Sequence, residues 1–149
     1  YEAPINAFYS LGNRSAAIRI PKYAKQPDTA RIEFRPPDAT CNPYLALAAQ
    51  LMAGIDGIQN EMDPTELGFG PIDADIFSWS EEQRAAIKPL PTSLDAALRA
   101  LEDDHDFLLA GGVFSEELLQ DWIEHKWESE YQPVHSRPHP YEMELYFDV

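Results

Sequence analysis

The chain has 149 residues, 44% of them apolar and 25% charged, which is enough for one domain with its own core and shows no long stretch of disordered composition. Its net charge of −15 argues against nucleic-acid binding, which needs a basic footprint. No apolar run approaches the roughly 18–20 residues that cross a membrane, and the single cysteine, Cys41, excludes an internal disulfide and fits a cytoplasmic protein.

The charge is uneven. Residues 1–44 carry six Lys/Arg against four acids, whereas the remaining 105 residues carry five against 22. A positive island in an acidic chain suits a small anionic ligand held at one place. The chain opens on Tyr1-Glu2-Ala3-Pro4 with neither an initiator Met nor the basic and apolar regions of a signal peptide, so it reads as a piece of a longer protein. This opening segment reads as a loop, because a residue before proline is biased towards extended backbone.

Asn13–Tyr23 and Ala30–Pro36 are extended runs joined by a polar connection, as in an antiparallel hairpin with a longer loop. In Arg31-Ile32-Glu33-Phe34-Arg35, alternation sends Ile32 and Phe34 towards a core and the three charged residues to the other face. With Arg14 and Arg19 upstream, four arginines around one carboxylate suggest a site for an anionic, metal-bearing ligand. Asn42-Pro43 starts a helix that runs to about Asn60 and is apolar around most of its circumference, so it is expected to be buried against the two strands. Residues 63–91 read as a loop punctuated by proline and glycine, with an apolar island at Asp75–Trp79 pinned by Phe77 and Trp79 and a short helix opened by Ser80. A helix capped at Thr92/Ser93 is expected to end at Gly111-Gly112, and another to run from Ser115 until Pro133 follows its end. The tail, Tyr141–Val149, is apolar enough to dock on a core or another subunit.

Several chemistries have no support. Neither a phosphate-binding glycine loop nor a nucleophile elbow is present. His135 and His139 are four apart but interrupted by Pro138, so they form no helical metal pair. Glu33 is the one persuasive metal-ligand candidate, and a single carboxylate does not hold Mg²⁺ alone.

Seven ordered motifs carry a family resemblance: Tyr1-Glu2-Ala3-Pro4, Asn13-Arg14-Ser15-Ala16, Ile18-Arg19-Ile20-Pro21, Arg31 to Arg35, Asn42-Pro43-Tyr44-Leu45, Met52 to Ile58, and Pro138-His139-Pro140-Tyr141-Glu142. Together the chain resembles the C-terminal part of a bacterial-type (type I) glutamine synthetase, over essentially its whole length. The resemblance implies an α+β fold, with antiparallel strands packed on a buried helix and a helical C-terminal region behind them. It divides the chain into active-site strands and flap (1–44), buried helix (45–62), loop (63–91) and helical region with tail (92–149). It implies ATP-dependent ligation of glutamate and ammonia through a γ-glutamyl phosphate, with Mg²⁺ or Mn²⁺ as cofactor, in a cytoplasmic homo-oligomer of two stacked hexameric rings. Site roles carry over by motif. Glu2 matches the flap glutamate that shields the intermediate and takes a proton from ammonium. Arg14 matches the arginine near the transferred phosphate and glutamate. Arg19 and Arg31 match arginines at the nucleotide, Glu33 a metal-ligand carboxylate, and Arg35 an arginine on the glutamate carboxylate.

Two positions depart from the family pattern. Pro36 stands where an apolar residue is usual, and Phe77 where some members carry a tyrosine modified by adenylylation. Because the family's other metal ligands lie upstream, the 149 residues alone are expected to be inactive. A ligase joining glutamate to another amine, such as a polyamine, remains an alternative, as does a non-catalytic assembly or binding module that keeps the fold.

Overall fold

A computed structural model describes residues 3–24 and 26–148, so Glu2 lies outside the described residues. The chain forms two compact units, residues 1–92 and 93–149.

The first unit is built on a three-stranded sheet in the order β1 (Asn6–Ser10), β2 (Ala16–Arg19), β3 (Glu33–Phe34). The expected antiparallel pair is present, with Ile18 opposite Phe34 and Arg19 opposite Glu33, but its strands are shorter than the sequence runs. Residues 6–10, to which the sequence assigned no element, form a strand, and it runs parallel to β2. Parallel neighbours usually need a connection of a dozen or more residues. Here residues 11–15 suffice, and the register shifts between Asn6 and Tyr9.

The outer edge of β1 is covered by the long segment after α1 (Pro43–Gln59). Tyr9 donates its amide to the Phe69 carbonyl (2.8 Å) and accepts from Ile72 N (3.0 Å), while Ala7 N donates to Lys88 O (2.8 Å). Gly70 sits at this crossing with φ +127°, and a Cβ there would lie 2.6 Å from the Tyr9 carbonyl oxygen, so glycine is required. The core beneath joins Phe8 and Ala16 to Ile76 and Ile87, with Ile72 and Trp79 packed on its margin. The island in the loop is therefore pinned by Ile76, which is 2% exposed, rather than by Phe77, which is 46% exposed. Ser80 caps α2 (Glu81–Ala85) in a reciprocal arrangement with Gln83.

Helix α1 begins where the sequence says, with Asn42 Oδ1 accepting from the amides of Tyr44 and Leu45. Its expected burial is not observed. Met52 is its one buried residue, and Leu47, Leu51 and Ile58 are exposed. Ile32 and Phe34 are exposed as well, which reverses the inward face expected of that strand.

The second unit is helical. The expected long helix is broken at Asp104–His105 into α3 (Leu94–Asp103) and α4 (Asp106–Leu109). Ser93 stands at the N-cap position without a capping side-chain bond. His105 turns its ring back so that Nδ1 donates to the Leu101 carbonyl (2.8 Å), with Glu116 at 3.5 Å from Nε2, and these partners raise its pKa. Gly111 and Gly112 both take positive φ, as a helix end demands. The helix α5 (Glu116–Lys126), capped by Ser115, continues through a π-turn at Trp127–Tyr131 into α6 (Gln132–His135), so Pro133 lies inside the helical run instead of beyond it. Proline at the start of a fresh helical segment costs no hydrogen bond that the π-turn has not already displaced. Leu98, Leu108, Phe114, Leu119 and Ile123 form the buried apolar set of this unit. The tail forms α7 (Pro140–Tyr146), capped by His139, with Tyr141, Met143, Leu145 and Tyr146 exposed. Among the described residues, no helix is long and apolar enough to cross a membrane.

Candidate functional site

A cleft of about 650 Å³ opens in the first unit beside the return from β1 to β2, and Arg14, Arg19, Lys22, Tyr23, Asp73 and Phe77 contribute to its wall. The return is held by a compact hydrogen-bond network. Ser10, fully buried, donates to Asp73 Oδ1 (2.6 Å) and accepts from the amides of Gly12 (3.1 Å) and Asn13 (2.7 Å). Leu11 N donates to the same carboxylate oxygen (2.9 Å). Asn13 then spans the gap: its Nδ2 donates to Ala74 O, and its Oδ1 accepts from the amide and hydroxyl of Ser15. Arg14 therefore stands on a short segment fixed at both sides. The hydrogen bond from Ser10, then that from Leu11 and the charge of Lys22, hold the Asp73 carboxyl below its ordinary range against the opposing effect of burial.

Arg19 is the last residue of β2, opposite Glu33 in β3. Its guanidinium donates to Glu33 Oε2 at 2.8 Å. Both side chains are partly exposed, at 21% and 30%, so the pair contributes at most about 1 kcal/mol to stability, and its main effect is to fix direction. Arg19 Nε is buried and has no hydrogen-bond acceptor among the described residues. Arg31 lies just before β3; it donates to the Tyr23 hydroxyl (2.7 Å), and its guanidinium carbon stands 5.0 Å from the centre of that ring. Arg35 lies just after β3, tied to the sheet by its amide, which donates to Ala17 O (2.9 Å).

Of the sequence candidates, Arg14 and Arg19 thus reach the cleft wall directly. Glu33 and Arg31 are bound to residues that line it, and Arg35 is joined to β2 through its backbone. Ser10, Asn13, Tyr23 and Asp73 complete the arrangement and were not singled out as site residues by sequence. Nothing local could have joined Ser10 to Asp73, 63 positions apart; the repeated Asn and Ser around Arg14 were the one available signal.

The residues in hand do not by themselves fit a divalent metal. Among the described residues no three His, Cys, Asp or Glu side chains come together. Glu33 is one carboxylate already engaged by a guanidinium, where Mg²⁺ needs near-octahedral oxygen ligation. What the cleft offers an anion is the guanidiniums of Arg14 and Arg19 beside Lys22, with Asp73 and Asp75 also on its wall; guanidiniums are suited to bidentate recognition of phosphate and carboxylate.

The family model for the glutamine synthetase catalytic domain matches residues 1–146. The chain is 51% identical over all 149 residues to a glutamine synthetase of Mycolicibacterium smegmatis and 56% identical to that of Aquifex aeolicus. It spans 30% and 31% of the lengths of these relatives. Among solved structures, it aligns with a chain of a GmaS/ADP complex at a TM-score of 0.77 and 33% identity, over 99% of this chain and 30% of that one. It also aligns with Plasmodium falciparum glutamine synthetase, seen by cryo-electron microscopy, at 0.77 and 29%, over 98% of this chain and 35% of that one. The α+β architecture and the family agree, and the chain belongs to the glutamine synthetase catalytic-domain family.

Proposed function

We propose that these residues are the C-terminal part of an ATP-dependent glutamate–ammonia ligase and form one wall of its phosphoryl-transfer site. The observation that carries this reading is the mounting of Arg14 and Arg19 on one cleft, with Arg19 aimed by Glu33. The ADP held by the solved GmaS relative supports a nucleotide at the family's site.

Phosphoryl transfer asks the protein mainly for positioning and charge neutralisation. Arg19 and Arg31 would hold the nucleotide phosphates, and Arg14 the transferred group, while Arg35 fixes the glutamate carboxylate. The γ-carboxylate oxygen of glutamate attacks the terminal phosphorus, releasing ADP and leaving a γ-glutamyl phosphate. Ammonia then displaces phosphate, and Glu2 takes the proton lost from ammonium. A flap that excludes water protects the acyl phosphate from hydrolysis. Glu33 serves here to orient Arg19; a role towards Mg²⁺ or Mn²⁺ would need ligands from the rest of the polypeptide, which is why the 149 residues alone should turn over nothing. The exposed apolar side chains of α7 suit a contact between subunits of a ring assembly.

The test is phosphate release from ATP by the full-length protein with glutamate, comparing ammonium with polyamines. Release stimulated by ammonium is expected. Stimulation by polyamines alone would move the assignment to a γ-glutamyl-amine ligase, and no amine-dependent release would overturn it.

A further inference from the structure

The two nucleotide-side arginines are held by chemically different partners. Arg19 is paired with a carboxylate, which fixes it but offsets much of its charge. Arg31 is held by a neutral phenol, which accepts one hydrogen bond and offers a ring face while leaving the positive charge intact. Tyr23 itself is well placed for this. Pro21, fully buried, anchors a turn closed by Ala24 N donating to Pro21 O (3.0 Å), and Tyr23 lies inside that turn on the wall of the cleft. Arg31 does not itself line the cleft; its contact with Tyr23 joins it to a residue that does.

We infer that Tyr23 is a positioning residue for Arg31, presenting its undiminished guanidinium charge to the phosphates of the nucleotide. The inference rests on the ligase reading above and adds a residue to it. Tyr23 touches neither reacting atom; it acts through the geometry of Arg31. A longer-lived arginine conformer at the rim lowers the entropy lost when an anion is bound, so the effect should fall on nucleotide affinity more than on the chemical step.

The experiment uses the full-length protein and steady-state phosphate release with ATP varied, for Tyr23→Phe, Tyr23→Leu, Arg31→Ala and the double variant Tyr23→Leu/Arg31→Ala. Tyr23→Leu should raise the KM for ATP about fivefold, equivalent to about 1 kcal/mol at 1.4 kcal/mol per decade. Tyr23→Phe, keeping the ring and losing the hydroxyl, should fall between it and wild type. The kcat and the KM for glutamate should stay within about twofold of wild type. In the Arg31→Ala background, Tyr23→Leu should add nothing, since the residue it positions is gone. Additive effects in the double variant, or equal losses in kcat and both KM values, would make Tyr23 a merely structural residue and overturn the inference. An Arg31→Ala effect on ATP with none from either Tyr23 variant would overturn it while leaving the ligase reading intact. Absence of ATP turnover by the wild-type protein would overturn both.

Discussion

Helix α1 and the segment of residues 63–91 invert the usual relation between regularity and burial. The helix satisfies most of its backbone hydrogen bonds internally, yet its apolar side chains, Leu47, Leu51 and Ile58 among them, face outward. The segment has little regular structure, yet it covers the edge of β1, contributes Ile76 and Ile87 to the core, and clamps the Arg14 return through Asp73. Regular backbone hydrogen bonding and burial are thus separate properties here, and it is the buried, irregular segment that anchors the site. The chain spans about 30% of the length of the glutamine synthetase of Mycolicibacterium smegmatis.

The sharpest way to break this comparison is Ile76→Ala. Removing a side chain that is 2% exposed should cost about 2–5 kcal/mol, read as a loss of denaturant stability, and should loosen the Arg14 return with it. A loss below about 0.5 kcal/mol would show that the segment only lies on the sheet. Leu51→Ala examines the other side. In the 149-residue chain it should change stability by no more than about 0.5 kcal/mol, because Leu51 is 65% exposed there. In the full-length protein the same change should cost about 2–5 kcal/mol if the remainder covers α1. Equal small effects in both would mean the face is open by design.

Asp73→Asn gives a smaller effect with a defined pH dependence. The carboxyl has a lowered folded pKa, so its contribution is present above the ordinary value of 3.8 and is lost as pH falls through the folded value. The substituted protein should melt lower than wild type at neutral pH, and the two should converge in acid. A difference that persists unchanged in acid would assign the effect to packing instead of charge.

The sequence was most informative where a local rule decides the outcome. Asn42-Pro43, Ser80 with Gln83, and Gly111-Gly112 each mark a terminus by the chemistry of a few neighbouring residues, and each is found there. The antiparallel pairing of β2 with β3 followed from two extended runs and a connection, whereas the register that sets Arg19 opposite Glu33 came only from the structure. What was not legible depends on distant partners. Residues 6–10 carry no distinctive alternation and become a strand because β2 and residues 69–72 bond to both their edges. Phe34 alternates as a core residue should, yet its face is uncovered. Apolar periodicity read straight through the break at Asp104, and Pro133 was read as lying beyond a helix end where a π-turn instead carries the helical run past it. In the site, Arg14, Arg19 and Glu33 were visible as charge concentrated in an acidic chain, whereas Tyr23 and Asp73 became visible only through the contacts they make.

The central claim, that the arginine-lined cleft is one wall of a phosphoryl-transfer site, is tested most directly by ammonium-dependent phosphate release from ATP in the full-length protein carrying Arg14→Ala. The account predicts a fall in turnover on the order of 10²-fold or more, with the melting temperature close to that of wild type because Arg14 is exposed. Turnover within about twofold of wild type would contradict it.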